Sequence, residues 1–190
     1  DGFRLAVYKG GLAEPASEDA SFIVPARTLQ EVARLIGTPE QPVAFTVTPS
    51  KSQALFRLEN VEVVTQLVQG TFPNYSQLIP KSYEAVAAEM ASDPENKQPV
   101  PTKAVVNLGE FLRATRTAAI FARDGSGIVR LHVLGGSNGS PGKLSVLSRA
   151  EEVGENQGEI DAQVEGQEAK IAFNSKYLAE VLSVLEEEDV

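Results

Sequence analysis

"VPARTLQEV", residues 24–32, and "FNSKYLAEV", residues 173–181, are one helix start written twice. At a constant offset of 149 residues they match Leu29 with Leu178, Glu31 with Glu180 and Val32 with Val181. Around the first, Leu29, Val32, Ala33 and Ile36 of 25–36 recur at the i, i+3, i+4, i+7 spacing of an amphipathic helix, and Pro25 suits its first turn. Around the second, Leu178, Val181, Leu182 and Leu185 of 174–185 form the stripe, with Asn174 placed to cap it. A third helix is predicted over 107–123, with Leu108, Phe111, Leu112, Thr115, Ala118, Ala119 and Ala122 on its apolar face. Asn107, with Glu110 three residues later, makes a capping box there.

Between these helices the apolar residues alternate at period two. Val43, Phe45 and Val47 share a face, Leu55 and Arg57 oppose Phe56 and Leu58, and Val61, Val63 and Leu67 follow. After the middle helix come Val129, Leu131 and Val133, then Leu144 and Val146, then Ile160, Ala162 and Val164 against Glu159, Asp161 and Gln163, then 169–173. Such segments are half-buried antiparallel strands. The helix starts at Pro25, Asn107 and Asn174 lie 82 and 67 residues apart, and the 17-residue stretch 85–101 accounts for the difference. What remains is a repeat of about 66 residues, one helix plus four strands, which sets an α+β architecture. The chain is expected to open in mid-strand at 1–8 and to stop where the repeat still demands strands, as a piece of a longer protein would.

Charge and composition narrow the functions. With 42% hydrophobic and 23% charged residues the chain is ordinary for a globular protein. No apolar run approaches the ~20 residues that span a bilayer, and the N-terminus has no leader pattern, so no membrane role and a cytoplasmic location are expected. There is no Cys and one His, His132, which leaves little for thiolate, zinc or Ser-His-Asp chemistry. No Gly-rich phosphate loop or paired-His metal spacing occurs. His132 and Arg130 belong to the polar side of a strand; 135–142 is a flexible hairpin loop; the seven acids of 150–168 line a wet strand face. No enzyme, catalytic residue, metal or cofactor is expected. The formal charge of −9 is unevenly spread: 110–149 carries Arg113, Arg116, Arg123, Arg130, Lys143 and Arg149 against only Glu110 and Asp124.

Five stretches carry a family resemblance: "DGFRLAVY" (1–8), "VPARTLQEV" (24–32), "QLVQGTFPNYSQLIPKSYE" (66–84), "LRATRTAAIFAR" (112–123) and "IAFNSKYLAEVL" (171–182). In this order and spacing the chain resembles the bacterial sliding clamp, the beta subunit of DNA polymerase III. The resemblance implies that 1–80 is the second half of the clamp's middle domain and 81–190 the first two-thirds of its C-terminal domain. It marks 85–101 as an insertion, which its Pro, Ala and acid-rich composition makes a disordered surface loop. Without the family's first domain and C-terminal peptide, this chain is not expected to close a ring.

The resemblance further implies the DNA-clamp fold, with helices on the inner face of a ring and sheets outside. The ring encircles duplex DNA without reading its sequence and tethers the polymerase as a processivity factor. Its homodimer forms head to tail. Arg27, Arg34, Arg113, Arg116, Arg123 and Lys176 would face DNA, with acid on the outer sheets repelling it. Gly2, Arg4 and Leu5, with Pro73, Gln77 and Leu78, would form the wall of a hydrophobic pocket between middle and C-terminal domains. There the polymerase alpha subunit, the clamp loader and other clamp-binding-motif proteins dock short Leu- and Phe-containing peptides. Ile120 and Phe121, off the main stripe of their helix, would meet the first domain of another subunit. For the 70–80 tract the alternative is an interdomain connector packing its own aromatics, Phe72 and Tyr75. For the whole chain it is a β-rich ligand-binding or adhesion module.

Overall fold

A computed structural model of the chain describes residues 2–16, 18–37, 42–93, 95, 101–122, 127–136, 141–150 and 154–190. The chain divides into two compact units, Asp1–Ile79 and Pro80–Val190.

In the first unit, helix α1 (Ala26–Leu35) is followed by a three-stranded antiparallel sheet, β1 (Ala44–Val47), β2 (Gln53–Arg57) and β3 (Glu62–Gln66), with β2 central. The register sets Phe45 opposite Phe56 and Phe56 opposite Val63. Period-two alternation turns Ala54 and Phe56 inward, where they join Val32 and Leu67, with Phe22, Val24, Val43, Val47 and Val63 around them. Phe22, Phe45 and Phe56 form a ladder with ring centroids 4.8 and 4.9 Å apart. Pro25 takes the N-cap position and its carbonyl accepts from Thr28 N at 3.0 Å, so the helix begins one residue later than the pattern suggests. Of the α1 stripe only Val32 is buried; Leu29, Ala33 and Ile36 are exposed. The strand expected over 1–8 is absent among the described residues. Residues 2–16 and 18–22 have no regular secondary structure, and the bridge between Ile23 and Val68 is the first pairing among the described residues. A strand exists only through a paired neighbour, and the described ladders of β1, β2 and β3 join these three strands only to one another.

The second unit holds α2 (Tyr83–Ser92), β4 (Lys103–Val105), α3 (Leu108–Ala122), β5 (Ile128–Leu134), β6 (Gly142–Ala150), β7 (Gly154–Glu165), β8 (Ala169–Asn174) and α4 (Ser175–Leu182). The five strands make one antiparallel sheet in the order β4-β7-β6-β5-β8. Helix α3 lies on one face and buries Phe111, Thr115, Ala118 and Ala122. Phe111 and Ala118 join a core with Val129, Leu131, Val133, Leu144, Val146, Ile160, Ala162 and Leu182. Burial of each large aliphatic in such a core contributes about 1.5–3 kcal/mol, which holds the helix to the sheet more firmly than its own propensity could. Asn107 Oδ1 accepts from Glu110 N at 3.0 Å and Asn174 Oδ1 from Lys176 N at 3.0 Å, so both predicted caps form. Gly166, at φ +92°, turns β7 into β8; a Cβ there would fall on the Pro101 carbonyl oxygen.

The stretch 85–101 differs from its expectation of disorder. Its first part belongs to α2, capped by Ser82, whose side chain accepts from Ala85 N at 3.2 Å. Val86 is buried, Lys81 bonds Glu89 at 2.6 Å, and Lys103 reaches Glu84 at 2.5 Å. The Lys103 ammonium, the largest cause, pulls the Glu84 carboxyl down to about 2. Residues 94 and 96–100 lie outside the described residues.

Candidate partner and nucleic-acid interfaces

The cations separate into paired and unpaired sets. On α1, Arg34 donates through Nε and Nη2 to Glu31 at 3.0 and 2.8 Å, so its charge is already compensated. Arg27 is exposed, with no carboxylate partner among the described residues. On α3, Arg113 and Arg116 are exposed and likewise without a carboxylate partner among the described residues. At ~100° per residue they lie about 60° apart around the helix and point away from the buried face. Lys176 opens α4, with Glu180 4.0 Å away. Arg123 lies outside the described residues.

The sheet face of the second unit that α3 leaves uncovered is mostly charge-compensated, Arg130 being an exposed cation there without a carboxylate partner among the described residues. Lys143 pairs with Asp161, and Arg149 with Glu155 at 3.2 Å. Lys170 sits 3.0 Å from Glu168. His132, expected in open solvent, has its Nε2 2.7 Å from the same Glu168 and a side chain only 25% exposed. Register explains this, because His132 stands opposite Lys170 on the β5–β8 pair, beside the turn that carries Glu168. Lys170 first and His132 second hold the Glu168 carboxyl below its usual range.

Ile120 is 62% exposed and Phe121 half-buried. Ile120 follows Arg113 by seven residues, so it lies about 20° from Arg113 around α3 and about 10 Å further along its axis. The solvent face of α3 therefore runs from basic to apolar along its length.

All six residues of the expected pocket wall belong to the first unit. Gly2 (φ +86°), Arg4 and Leu5 lie in the segment without regular structure. Gln77 and Leu78 belong to a turn that begins at Tyr75, and Pro73 lies two residues before it. Leu78 N donates to Tyr75 O at 2.9 Å, while Asn74 Oδ1 accepts from Ser76 N at 3.2 Å and from Ser76 Oγ at 2.6 Å. The rings of Phe72 and Tyr75 meet edge to face at 6.2 Å. The tract thus packs its own aromatics while leaving Leu78 73% exposed, so connector and docking surface are compatible roles for it. Asn74 is the residue that sequence reasoning missed. Its signal was the Pro-Asn pair, since Asn side chains bond their own backbone two residues on.

The DNA polymerase III beta subunit family matches the chain on either side of residues 75–93. Its central-domain description matches residues 1–74 and its C-terminal-domain description residues 94–190. The chain belongs to the DNA polymerase III beta subunit family. The beta sliding clamp of Staphylococcus aureus is 30% identical over 192 residues, covering all of this chain and 44% of that protein. The Staphylococcus epidermidis beta sliding clamp is 29% identical over the same span. Among solved structures, the DNA polymerase sliding clamp from Bacillus subtilis superimposes with a TM-score of 0.75 at 26% identity, over 95% of this chain and 42% of that one. The DNA polymerase III beta chain of Streptococcus pneumoniae gives 0.72 at 26% identity, over 93% and 41%. The chain spans less than half the length of the beta subunits it matches. Residues 75–93, which include α2, fall between the two family matches.

Proposed function

We propose that this chain forms part of a sliding clamp that encircles duplex DNA and tethers the replicative polymerase. On this reading 1–80 is the second half of the clamp's middle domain and 81–190 the first two-thirds of its C-terminal domain. The observation that carries the reading is the segregation of charge on the second unit. Unpaired Arg113 and Arg116 project from α3 on one side of the sheet, whereas on the other side Lys143, Arg149 and Lys170 are matched by carboxylates and Arg130 is exposed without one among the described residues. A weak, non-specific attraction to phosphates on the helix side, with less on the sheet side, suits a ring that slides. Arg27, Arg34, Arg123 and Lys176 are proposed to face DNA as well, Arg34 being the weakest contributor because Glu31 holds it. The protein is a non-catalytic, cytoplasmic processivity subunit on this account, a homodimer at full length. Ile120 and Phe121 contribute to the subunit contact. The alpha subunit, the clamp loader and other partners dock by Leu- and Phe-containing peptides on Gly2, Arg4, Leu5, Pro73, Gln77 and Leu78.

The test is topological. A full-length protein carrying this chain, loaded onto a nicked circular plasmid, is expected to stay bound through gel filtration and to be lost when the plasmid is linearised. Equal retention on circular and linear DNA would mean that binding is by contact and would overturn the clamp reading.

A further inference from the structure

The turn between Phe72 and Ile79 is fixed from inside, and its fastening points to a residue that acts on partner binding without touching the partner. Asn74 Oδ1 accepts two hydrogen bonds, from the backbone N–H of Ser76 and from its hydroxyl. Ser76 is the second residue of the Tyr75–Leu78 turn, which the bond from Leu78 N to Tyr75 O closes. Clamping Ser76 therefore fixes the entry to the turn whose last residue is the exposed Leu78. Pro73 restricts the backbone immediately before Asn74, and the Phe72–Tyr75 edge-to-face contact spans the same two residues. Apart from these contacts the tract is held by little: every residue from 69 to 82 is exposed. Ordering a four-residue turn on an exposed surface costs backbone conformational entropy at every residue. If that cost is met in the free protein, a docking peptide does not have to meet it again.

We propose that Asn74 is a positioning residue for partner-peptide binding: its side-chain oxygen pre-forms the turn that presents Gln77 and Leu78. The inference rests on the reading of this tract as a docking wall. Loss of the two bonds is expected to weaken peptide binding about three- to tenfold, the range that one or two exposed hydrogen bonds supply.

The experiment is calorimetric titration of the 190-residue chain with the pentapeptide Gln-Leu-Asp-Leu-Phe, using wild type, Asn74→Ala, Asn74→Asp and Leu78→Asp. Asp keeps an acceptor oxygen at the same place, so Asn74→Asp is expected to bind within about twofold of wild type. Asn74→Ala is expected to lose affinity through a less favourable entropy of binding, while its far-UV circular dichroism and melting temperature stay those of wild type. Leu78→Asp, which alters the docking wall itself, loses binding. Wild-type affinity in Asn74→Ala, or an Asn74→Asp as weak as Asn74→Ala, overturns the positioning role while the docking wall stands. Absence of binding by the wild type, or full binding by Leu78→Asp, removes the docking wall and the positioning role together.

Discussion

Removing Arg113 and Arg116 together should change the salt dependence of DNA binding more than its sequence dependence. Both side chains are exposed on α3 and lack a carboxylate partner among the described residues, so each is free to replace a counterion on a phosphate. They lie about 4.5 Å apart along the helix axis and about 60° apart around it, close enough to serve one stretch of duplex backbone. Each phosphate contact adds about 0.9 to the slope of log K against log salt, so Arg113→Ala with Arg116→Ala should lower that slope by about 1.8. Between 50 and 200 mM salt such a change corresponds to about a twelvefold smaller fall in affinity. Arg34→Ala is the internal control: its guanidinium already bonds Glu31 at 2.8 Å, and its loss should change the slope by well under half of one contact. The assay is fluorescence anisotropy of a labelled duplex titrated with the chain at four salt concentrations. An unchanged slope in the double variant, or an Arg34→Ala effect equal to that of Arg116→Ala, would refute the division into paired and unpaired arginines.

Four further outcomes can be checked. Val146→Ala removes two methyl groups at a fully buried site in β6 and should cost about 2 kcal/mol in urea unfolding; a cost below ~0.5 kcal/mol would mean the site collapses around the gap. Asn107→Ala should cost about 1 kcal/mol in the same assay and Asn107→Ser far less, because Ser still caps Glu110 N. Glu84 has its folded pKa depressed from 4.5 to about 2, so its stabilisation of α2 is present above pH 4.5 and is lost as pH falls through 2. Helicity of wild type and Glu84→Gln, followed by circular dichroism, should therefore differ at neutral pH and converge over that window; a constant difference would contradict the Lys103 pairing. Ile120→Asp with Phe121→Asp should convert a full-length dimer to monomer in sedimentation velocity, and an intact dimer would remove these residues from the subunit contact.

Much of the fold could be read from the chain because its helices announce themselves locally. Periodicity placed α1, α3 and α4 to within a few residues, and Asn107 and Asn174 mark their caps by side-chain chemistry that needs no tertiary partner. What the pattern hid is non-local. The ordering of α2 involves Lys103, which lies 19 residues from Glu84 in the chain, while its Ala- and acid-rich composition alone suggests disorder. The 1–8 segment alternates like a strand, yet alternation only qualifies a segment for pairing, and among the described residues no ladder joins it to β1, β2 or β3. His132 met Glu168 through strand register that spacing cannot supply. At the candidate sites, exposure of the arginines followed from helix geometry, but whether each was free or paired depended on rotamers and neighbours, as Arg34 and Glu31 illustrate.

Helix α3 shows how one element can serve two proposed surfaces without conflict. Its buried face, Phe111, Thr115, Ala118 and Ala122, fixes its rotation, because turning the helix by one residue would move Ala118 out of a fully enclosed position. With rotation fixed, the only freedom left to the solvent face is along the axis. There the sequence places Arg113 and Arg116 in the middle turns and Ile120 in the last turn. Both arginines lie beyond the reach of the dipole at either helix end, so local helix stability does not reward their charge. An exposed isoleucine in the last turn is equally unrewarded by local packing. Both features become intelligible together if the middle turns face phosphates and the last faces an apolar surface of another subunit. The two sets of variants above separate these roles: loss of the arginines should leave sedimentation unchanged, and loss of Ile120 and Phe121 should leave the salt slope per chain unchanged.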